Sequence, residues 1–360
     1  MPLVSIIMPA YRAVPFLDEA IGSILSQTFT DWELIIADDH SQDHTATVAQ
    51  SWVLKDSRIR LLQNTTRMGA AYTRNRAVAA SEGELIAFLD ADDIAYPKRV
   101  EIQVAYLQSH CRTGLVAHWL DIIDQNSCVH PHQWEWRKEK DTHLPIFLLF
   151  GNAVALSSVM MRRSVWQQLA GFPSEAEPCE DYALWSEVAK ISPLHIIPQK
   201  LGARREYHNS LTYREEEKGK QQLHTIIRQN LSRLHICPSE KELMLHQQLR
   251  HRQFELTNVF AQSARQWLEY LLLQNSKHCT YPQKDLQEVV GEIWYDYWHR
   301  RHPEGLCILR YYFASFLWKG NSLQKNFLLV ALSLVKTLKK LTRFINTTLS
   351  DHSNSGMQRQ

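Results

Sequence analysis

Four short stretches rich in apolar residues, at Val4–Met8, Glu33–Ala37, Ile59–Leu62 and Leu85–Leu89, alternate with longer segments whose apolar residues recur at helical spacing. The pattern predicts strands at those four places and helices over Pro15–Gln27, Asp43–Leu54, Gly69–Ala80 and Pro97–Ser109. Strict alternation of strand and helix implies parallel βαβ units. Polar loops follow the strands: Pro9-Ala10-Tyr11-Arg12 after the first, Asp38-Asp39-His40-Ser41 after the second and Asp90-Ala91-Asp92-Asp93 after the fourth. Such loops gather at one edge of a parallel sheet, where open α/β folds bind their ligands.

The fourth loop carries the most specific chemistry. Five apolar residues, Leu85 to Leu89, run straight into Asp90, Asp92 and Asp93. Carboxylates packed this closely raise one another's pKa unless a cation neutralises them. Hard oxygen ligands spaced D-x-D, with no His or Cys beside them, favour Mg²⁺ or Mn²⁺, ions that keep waters and bind substrate phosphates. The competing reading is a solvated acidic turn. No strand is followed by G-x-G-x-x-G, and no G-x-x-x-x-G-K-[ST] occurs, so a backbone phosphate cradle is not indicated. A metal held by Asp residues is then the better route to a diphosphate. Asp38 and Asp39 either join the same edge or cap the helix that begins near Asp43.

Composition narrows the class. With 360 residues, of which 44% are hydrophobic, the chain is globular and long enough for about two domains. A net charge of +2, with aromatic residues not interleaved with basic ones, excludes a nucleic-acid groove. The six cysteines lack C-x-x-C spacing, so neither zinc nor a disulfide framework is indicated and a reducing cytosol is the simpler setting. The N-terminus reads as a first strand rather than a leader, and no apolar run reaches the ~18 residues of a membrane span. The expected location is cytoplasmic, with peripheral attachment to the inner face of the plasma membrane left open.

The ordered phrases Val4-Ser5-Ile6-Ile7-Met8-Pro9-Ala10-Tyr11, Ala20 to Phe29, Trp32 to Ser41, Gly69 to Asn75, Asp90-Ala91-Asp92-Asp93, Gly171-Phe172 and Glu180-Asp181-Tyr182-Ala183-Leu184-Trp185 resemble the family 2 glycosyltransferases over roughly residues 3 to 212. The resemblance implies a GT-A fold: a Rossmann-like, mixed but mostly parallel sheet flanked by helices. It also implies inverting transfer of a sugar, of the bacterial cell-surface polysaccharide type. The donor would be a nucleotide sugar, by family habit UDP-linked, and the acceptor a hydroxyl of a saccharide or lipid-linked saccharide. The rival readings are a non-catalytic nucleotide-sugar-binding assembly partner and a nucleotidyltransferase. The latter would be expected to carry a Gly-rich basic N-terminal loop, which this chain lacks.

Carried over residue by residue, the resemblance places the base of the donor against Pro9, Ala10, Tyr11 and Asp39, with Tyr11 stacking and Asp39 accepting the imide N–H. Asp92 becomes the ligand of Mn²⁺ or Mg²⁺, and Asp90, with Ala91 between them, lies nearer the ribose or a metal-bound water. Arg74 and Arg205 become diphosphate contacts; for Arg74 the alternative is a solvated helix charge. Asp181, beside Glu180, becomes the general base that deprotonates the acceptor hydroxyl. Both acids also suit the first turn of a helix on dipole grounds alone. One stretch departs from the family, which often carries Arg, His and Ser-x-Ser here. In Arg204-Arg205-Glu206-Tyr207-His208-Asn209-Ser210-Leu211-Thr212, Tyr207 takes the His place if Ser210 and Thr212 set the register.

The catalytic domain is expected to span 1–215 and a helical C-terminal region 216–349, with helices over Arg228–Trp267 and Lys284–Tyr297 and a disordered tail over 350–360. From Leu306 to Leu349 there is no Asp or Glu, yet seven Lys and Arg. Apolar residues at 327, 331, 334, 338, 341 and 345 follow helical spacing, so residues 327–345 read as a basic amphipathic helix for an anionic membrane surface or for docking on the protein itself. Oligomerisation is left open. Trp134 and Trp136, in the stretch from Ile123 to Leu144, are candidates for stacking on the acceptor.

Overall fold

The structure is a computed structural model that describes residues 1–130, 140–207, 216–251 and 253–356. The chain divides into two compact units, Met1–Asn230 and Leu231–Gln360.

The first unit is built on an eight-stranded sheet: β1 (Val4–Ala10), β2 (Trp32–Asp38), β3 (Ile59–Gln63), β4 (Leu85–Phe88), β5 (Ile94–Ala95), β6 (Leu115–Ile123), β7 (Met160–Arg162) and β8 (Leu194–Arg205). Their order is β3-β2-β1-β4-β7-β6-β8-β5. β1 to β4 run parallel, as the four apolar runs predict; β7 is antiparallel to both β4 and β6, which makes the sheet mixed. Every residue of β2 and β4 is buried, which is why Leu34–Ala37 and Leu85–Phe88 read as continuous apolar stretches rather than as alternation. The helices α1 (Val14–Leu25), α2 (Thr45–Val53), α3 (Ala70–Ala79) and α4 (Arg99–Ser109) fall within a few residues of their predicted spans.

Two features of this unit set up the site. Ala10 is paired with Asp38 and Ile7 with Phe88, so the loops after β1, β2 and β4 leave the sheet at one edge. The helix α7 (Glu180–Ile191) is docked on β4 through rings: Phe88 meets Phe172 edge-on at 5.2 Å, and Phe172 meets Trp185 at 6.0 Å. Phe172 is fixed in turn by Asn75 of α3, whose amide donates to its carbonyl (2.8 Å) and accepts from its N–H (2.9 Å). Gly171 sits beside this pair at φ +85°, and a Cβ there would lie 2.6 Å from the Asn75 amide oxygen, so the Gly-Phe pair needs its glycine.

The first unit reaches beyond residue 215. Its last helix, α8 (Glu216–Ser232), brings Asn230 to the Leu148 carbonyl (2.9 Å), the Tyr182 hydroxyl (3.1 Å) and the Ser186 hydroxyl (3.0 Å). That buried polar cluster ties α8 to α7. The second unit is helical, with α9 (Glu240–His251), α10 (Asn258–His278), α11 (Gln283–Arg301), α12 (Leu309–Phe313) and α13 (Leu323–Gly356). The stretch Arg228–Trp267, expected to be helical, is divided among three helices, with a turn where His235 takes φ 55° ahead of Pro238 and a second break before Thr257, whose hydroxyl caps α10. α13 continues through Ser350, where a disordered tail was expected, to Gly356; an established helix extends one bond at a time without a new nucleus. Among the described residues no helix is long and apolar enough to cross a membrane, and all six cysteines are free thiols.

Candidate active site

The three loops form an interlocked sheet edge. Asp39 donates its backbone N–H to the Ala10 carbonyl (2.9 Å), and the Ser41 hydroxyl accepts from the Arg12 N–H (3.0 Å), binding the first loop to the second. The Asp39 carboxylate is buried and accepts from the Asn64 amide (2.7 Å) and the Met68 and Gly69 N–H groups (2.7 and 2.9 Å). With about four acceptor positions on a carboxylate, one remains for a ligand. Gly69, at φ +92°, lets the chain turn into α3; a Cβ there would lie 2.7 Å from Glu177. Pro9 and Ala10 form the end of β1, and the Tyr11 ring beside them is half-buried with the Arg67 guanidinium 4.4 Å from its centre. Arg67 is a neighbour of Tyr11 that no spacing in the sequence indicates.

The acidic loop is a turn closed by the Asp93 N–H on the Asp90 carbonyl (3.1 Å), with Ala91 buried inside it. Its three carboxylates differ in surroundings. Asp93 is buried and accepts from the Arg205 N–H (2.8 Å), and burial together with the charges of Asp92 and Asp90 pushes its pKa well up. Asp92 is half-buried and accepts from the Tyr207 hydroxyl (3.1 Å); burial first, and then the Asp90 charge, pushes its carboxyl up to about 6. Asp90 is one-third exposed and accepts from Arg74 (2.8 Å). Two partly open carboxylates in one turn, with only hard oxygen donors, fit a divalent cation, because a cation would offset the burial and the Asp90 charge that raise Asp92. Asp93 is turned into the protein, so Asp92 with Asp90 is the pair that fits.

The two arginines are placed differently from expectation. Arg74 is buried inside α3 and bridges Asp90 and Glu180, to which its two terminal nitrogens donate. Burial opposes its charge, but Asp90 and Glu180 outweigh burial and raise its pKa. Arg74 is thus a strut that joins the acidic loop to the start of α7. Arg205 requires a correction. Its guanidinium donates to the Asp92 carbonyl (2.8 Å), the Asp124 carbonyl (2.8 Å), the Ser127 hydroxyl (3.0 Å) and Glu19 (2.6 Å), and it is 1% exposed. It shapes the backbone of the acidic loop instead of contacting phosphate, because its nitrogens are already taken by protein oxygens.

Glu180 and Asp181 begin α7, as the helix-dipole reading predicts. Glu180 is buried against Arg74. Asp181 is half-buried; it accepts from the Asn152 amide (2.8 Å) and from the Tyr182 N–H (2.6 Å). Burial first, then the neighbouring Glu180 charge, pushes its carboxyl up to about 7, where a carboxylate is matched to proton abstraction near neutral pH. Asn152, which orients Asp181, carries no sequence signal: it follows the apolar helix α5 (Leu144–Phe150) and is joined to Asp181 only by the fold. Tyr207, which takes the family's His place if Ser210 and Thr212 set the register, donates its hydroxyl to the metal-candidate Asp92. Trp134, Trp136, His208, Ser210 and Thr212 lie outside the described residues.

Comparison with known proteins places the chain in a family and a fold. The family described as Glycosyl transferase family 2 matches residues 5–169. WfgD of Escherichia coli, a UDP-Glc:alpha-D-GlcNAc-diphosphoundecaprenol beta-1,3-glucosyltransferase, is 34% identical over 199 residues, 54% of this chain and 73% of that protein. An uncharacterized glycosyltransferase of Haemophilus influenzae is 32% identical over 208 residues, 56% of this chain; the match spans 64% of that relative's length, less than two thirds. Among solved structures, S. aureus TarS superposes with a TM-score of 0.54 at 17% identity, covering 82% of this chain and 52% of TarS. TarS residues 1–349 in complex with UDP give a TM-score of 0.52 at 17% identity over 88% of each chain. At that identity the likeness speaks for the fold alone: a GT-A sheet with flanking helices, followed by a helical C-terminal region.

Proposed function

The chain belongs to glycosyl transferase family 2, and on that premise we propose that it transfers a sugar, with inversion, from a uridine diphosphate sugar to a hydroxyl of a saccharide or lipid-linked saccharide acceptor in cell-surface polysaccharide synthesis. The observation that carries the reading is the continuous pairing Asp90–Arg74–Glu180, which joins the acidic loop to the helix turn that bears Asp181. One bonded network thereby couples the diphosphate end of the site to a carboxylate whose pKa is raised to about 7.

In this reading Tyr11, with Arg67 on one side, stacks on the base, and the remaining acceptor position of Asp39 takes its imide N–H. Asp92 and Asp90 would hold Mn²⁺ or Mg²⁺, a cation that supplies charge neutralisation for the departing diphosphate. Asp181 accepts the proton of the acceptor hydroxyl as that oxygen attacks the anomeric carbon from the face opposite the diphosphate. The C–O bond to the acceptor forms as the bond to the diphosphate oxygen breaks, and Asn152 keeps the receiving oxygen in position. No covalent intermediate is needed. The UDP assignment draws support from WfgD, a UDP-glucose enzyme, and from TarS, which is known with UDP and with UDP-GlcNAc bound. WfgD acts on a diphosphoundecaprenol-linked sugar, which supports the lipid-linked acceptor.

Thermal unfolding in the presence of Mn²⁺ and a panel of nucleotide sugars tests the donor. Uridine diphosphate sugars should raise Tm, by an amount that grows with concentration as linkage requires, and Asp39→Ala should abolish the rise. Stabilisation by guanosine or thymidine diphosphate sugars alone would overturn the uridine assignment, and none by any nucleotide sugar would remove the donor reading.

A further inference from the structure

The helix α13 is mounted with its polar side on the protein and its apolar side in the open. Asn326, Leu329 and Ser333 are buried, the Thr337 hydroxyl accepts from the Leu306 N–H (2.8 Å), and Lys340 donates to the Glu304 carbonyl (3.1 Å). These five positions share one face at helical spacing. The face turned away from it carries Phe327, Leu328, Leu334, Val335 and Leu338, which are 74, 47, 44, 47 and 54% exposed. An amphipathic helix on a soluble body ordinarily presents the reverse, and a contiguous exposed apolar stripe marks a surface that something covers.

Charge decides what covers it. The segment from Leu306 to Leu349 holds seven of the chain's 40 Lys and Arg and none of its 38 Asp and Glu. Lys336 and Lys339 lie on the helix between the open stripe and the docked face, at its edge by the 3.6-residue period. A second copy meeting this face about a twofold axis would set lysine against lysine with no acid in the segment to offset them. A bilayer with anionic headgroups matches both features at once, since the side chains enter the acyl boundary while the ammonium groups meet phosphate. We propose that α13 lies in the interface of an anionic membrane, Phe327 and the leucines inward, and holds the second unit to that surface. The inference stands on the helix alone and does not depend on the proposed transfer reaction.

Co-sedimentation of the full chain with vesicles tests it, using phosphatidylcholine alone and phosphatidylcholine mixed with phosphatidylglycerol. The chain should bind the mixed vesicles more tightly than the neutral ones and detach as salt is raised. Leu334→Glu with Leu338→Glu, both at exposed positions, should weaken binding by about tenfold or more, and Lys339→Glu should weaken it less. Unchanged circular dichroism shows that the double variant is folded; if it is not, Lys339→Glu carries the comparison. Equal binding by wild type and the variants overturns the proposal. So does failure to bind vesicles, and a dimer in light scattering that dissociates in the double variant would then assign the stripe to a second copy.

Discussion

Asp181→Asn should lower the turnover of sugar transfer by about 10²–10⁴-fold, the usual contribution of a positioned general base, and leave nucleotide-sugar affinity unchanged. The substitution keeps the size of the side chain and, with its amide oxygen toward Asn152, that hydrogen bond; it removes the capacity to take a proton and the acceptor that faces the Tyr182 N–H. The wild-type pH profile should carry the same signature. Because burial and Glu180 raise the Asp181 pKa to about 7, the base is half-protonated there, and kcat/KM should fall tenfold per pH unit below it. That acidic limb should vanish in the Asn variant. The sign for stability is opposite: a carboxylate raised above its ordinary 3.8 binds more protons folded than unfolded, so ionising Asp181 costs stability as pH rises from about 4 through 7. Calorimetric donor titration beside steady-state kinetics checks the separation of binding from turnover, and equal turnover in the two proteins would remove Asp181 from the reaction.

Arg74→Ala should destabilise the chain by about 3–5 kcal/mol, the cost of removing one partner of a buried ion pair. Glu180 is 7% exposed at its side chain, and one of its oxygens already has no partner among the described residues, so truncation would leave a buried charge without compensation. Arg74→Lys should recover only part of the loss, because a single ammonium does not reproduce the fork that reaches Asp90 and Glu180 together. Glu180→Gln in the Arg74→Ala background should restore stability by removing the orphaned charge. Urea unfolding of the four proteins measures this, and a midpoint for Arg74→Ala equal to that of wild type would show that the bridge carries no structural weight.

The difference between what could and could not be read from the chain follows from distance along it. β1, β2 and β4 were legible because nearly all of their residues are buried, which leaves dense apolar runs; β3, with Arg60 and Gln63 exposed, was legible by its place in the alternation of strand and helix, and the loops were legible because parallel strands deliver them to one edge. That Asp92 lies in the loop after a buried strand and Asp181 in the first turn of a helix was legible from local pattern. The partners of Arg74 and Arg205 were not, because Glu180 lies 106 residues from Arg74 and Glu19 lies 186 residues from Arg205, and no local pattern encodes such pairings. An arginine near an acidic loop reads as a phosphate contact until its donors are traced; in Arg205 they end on protein oxygens. The first break within Arg228–Trp267 had a local sign in Pro238, but the positive φ of His235 comes from the fold.

The anomeric configuration of the first-formed product, followed by proton NMR during turnover of an α-linked uridine diphosphate sugar with its acceptor, tests the central claim most directly. Direct attack assisted by Asp181 alone predicts a β-linked product from the outset; an α-linked product would require a second nucleophile and would contradict the account.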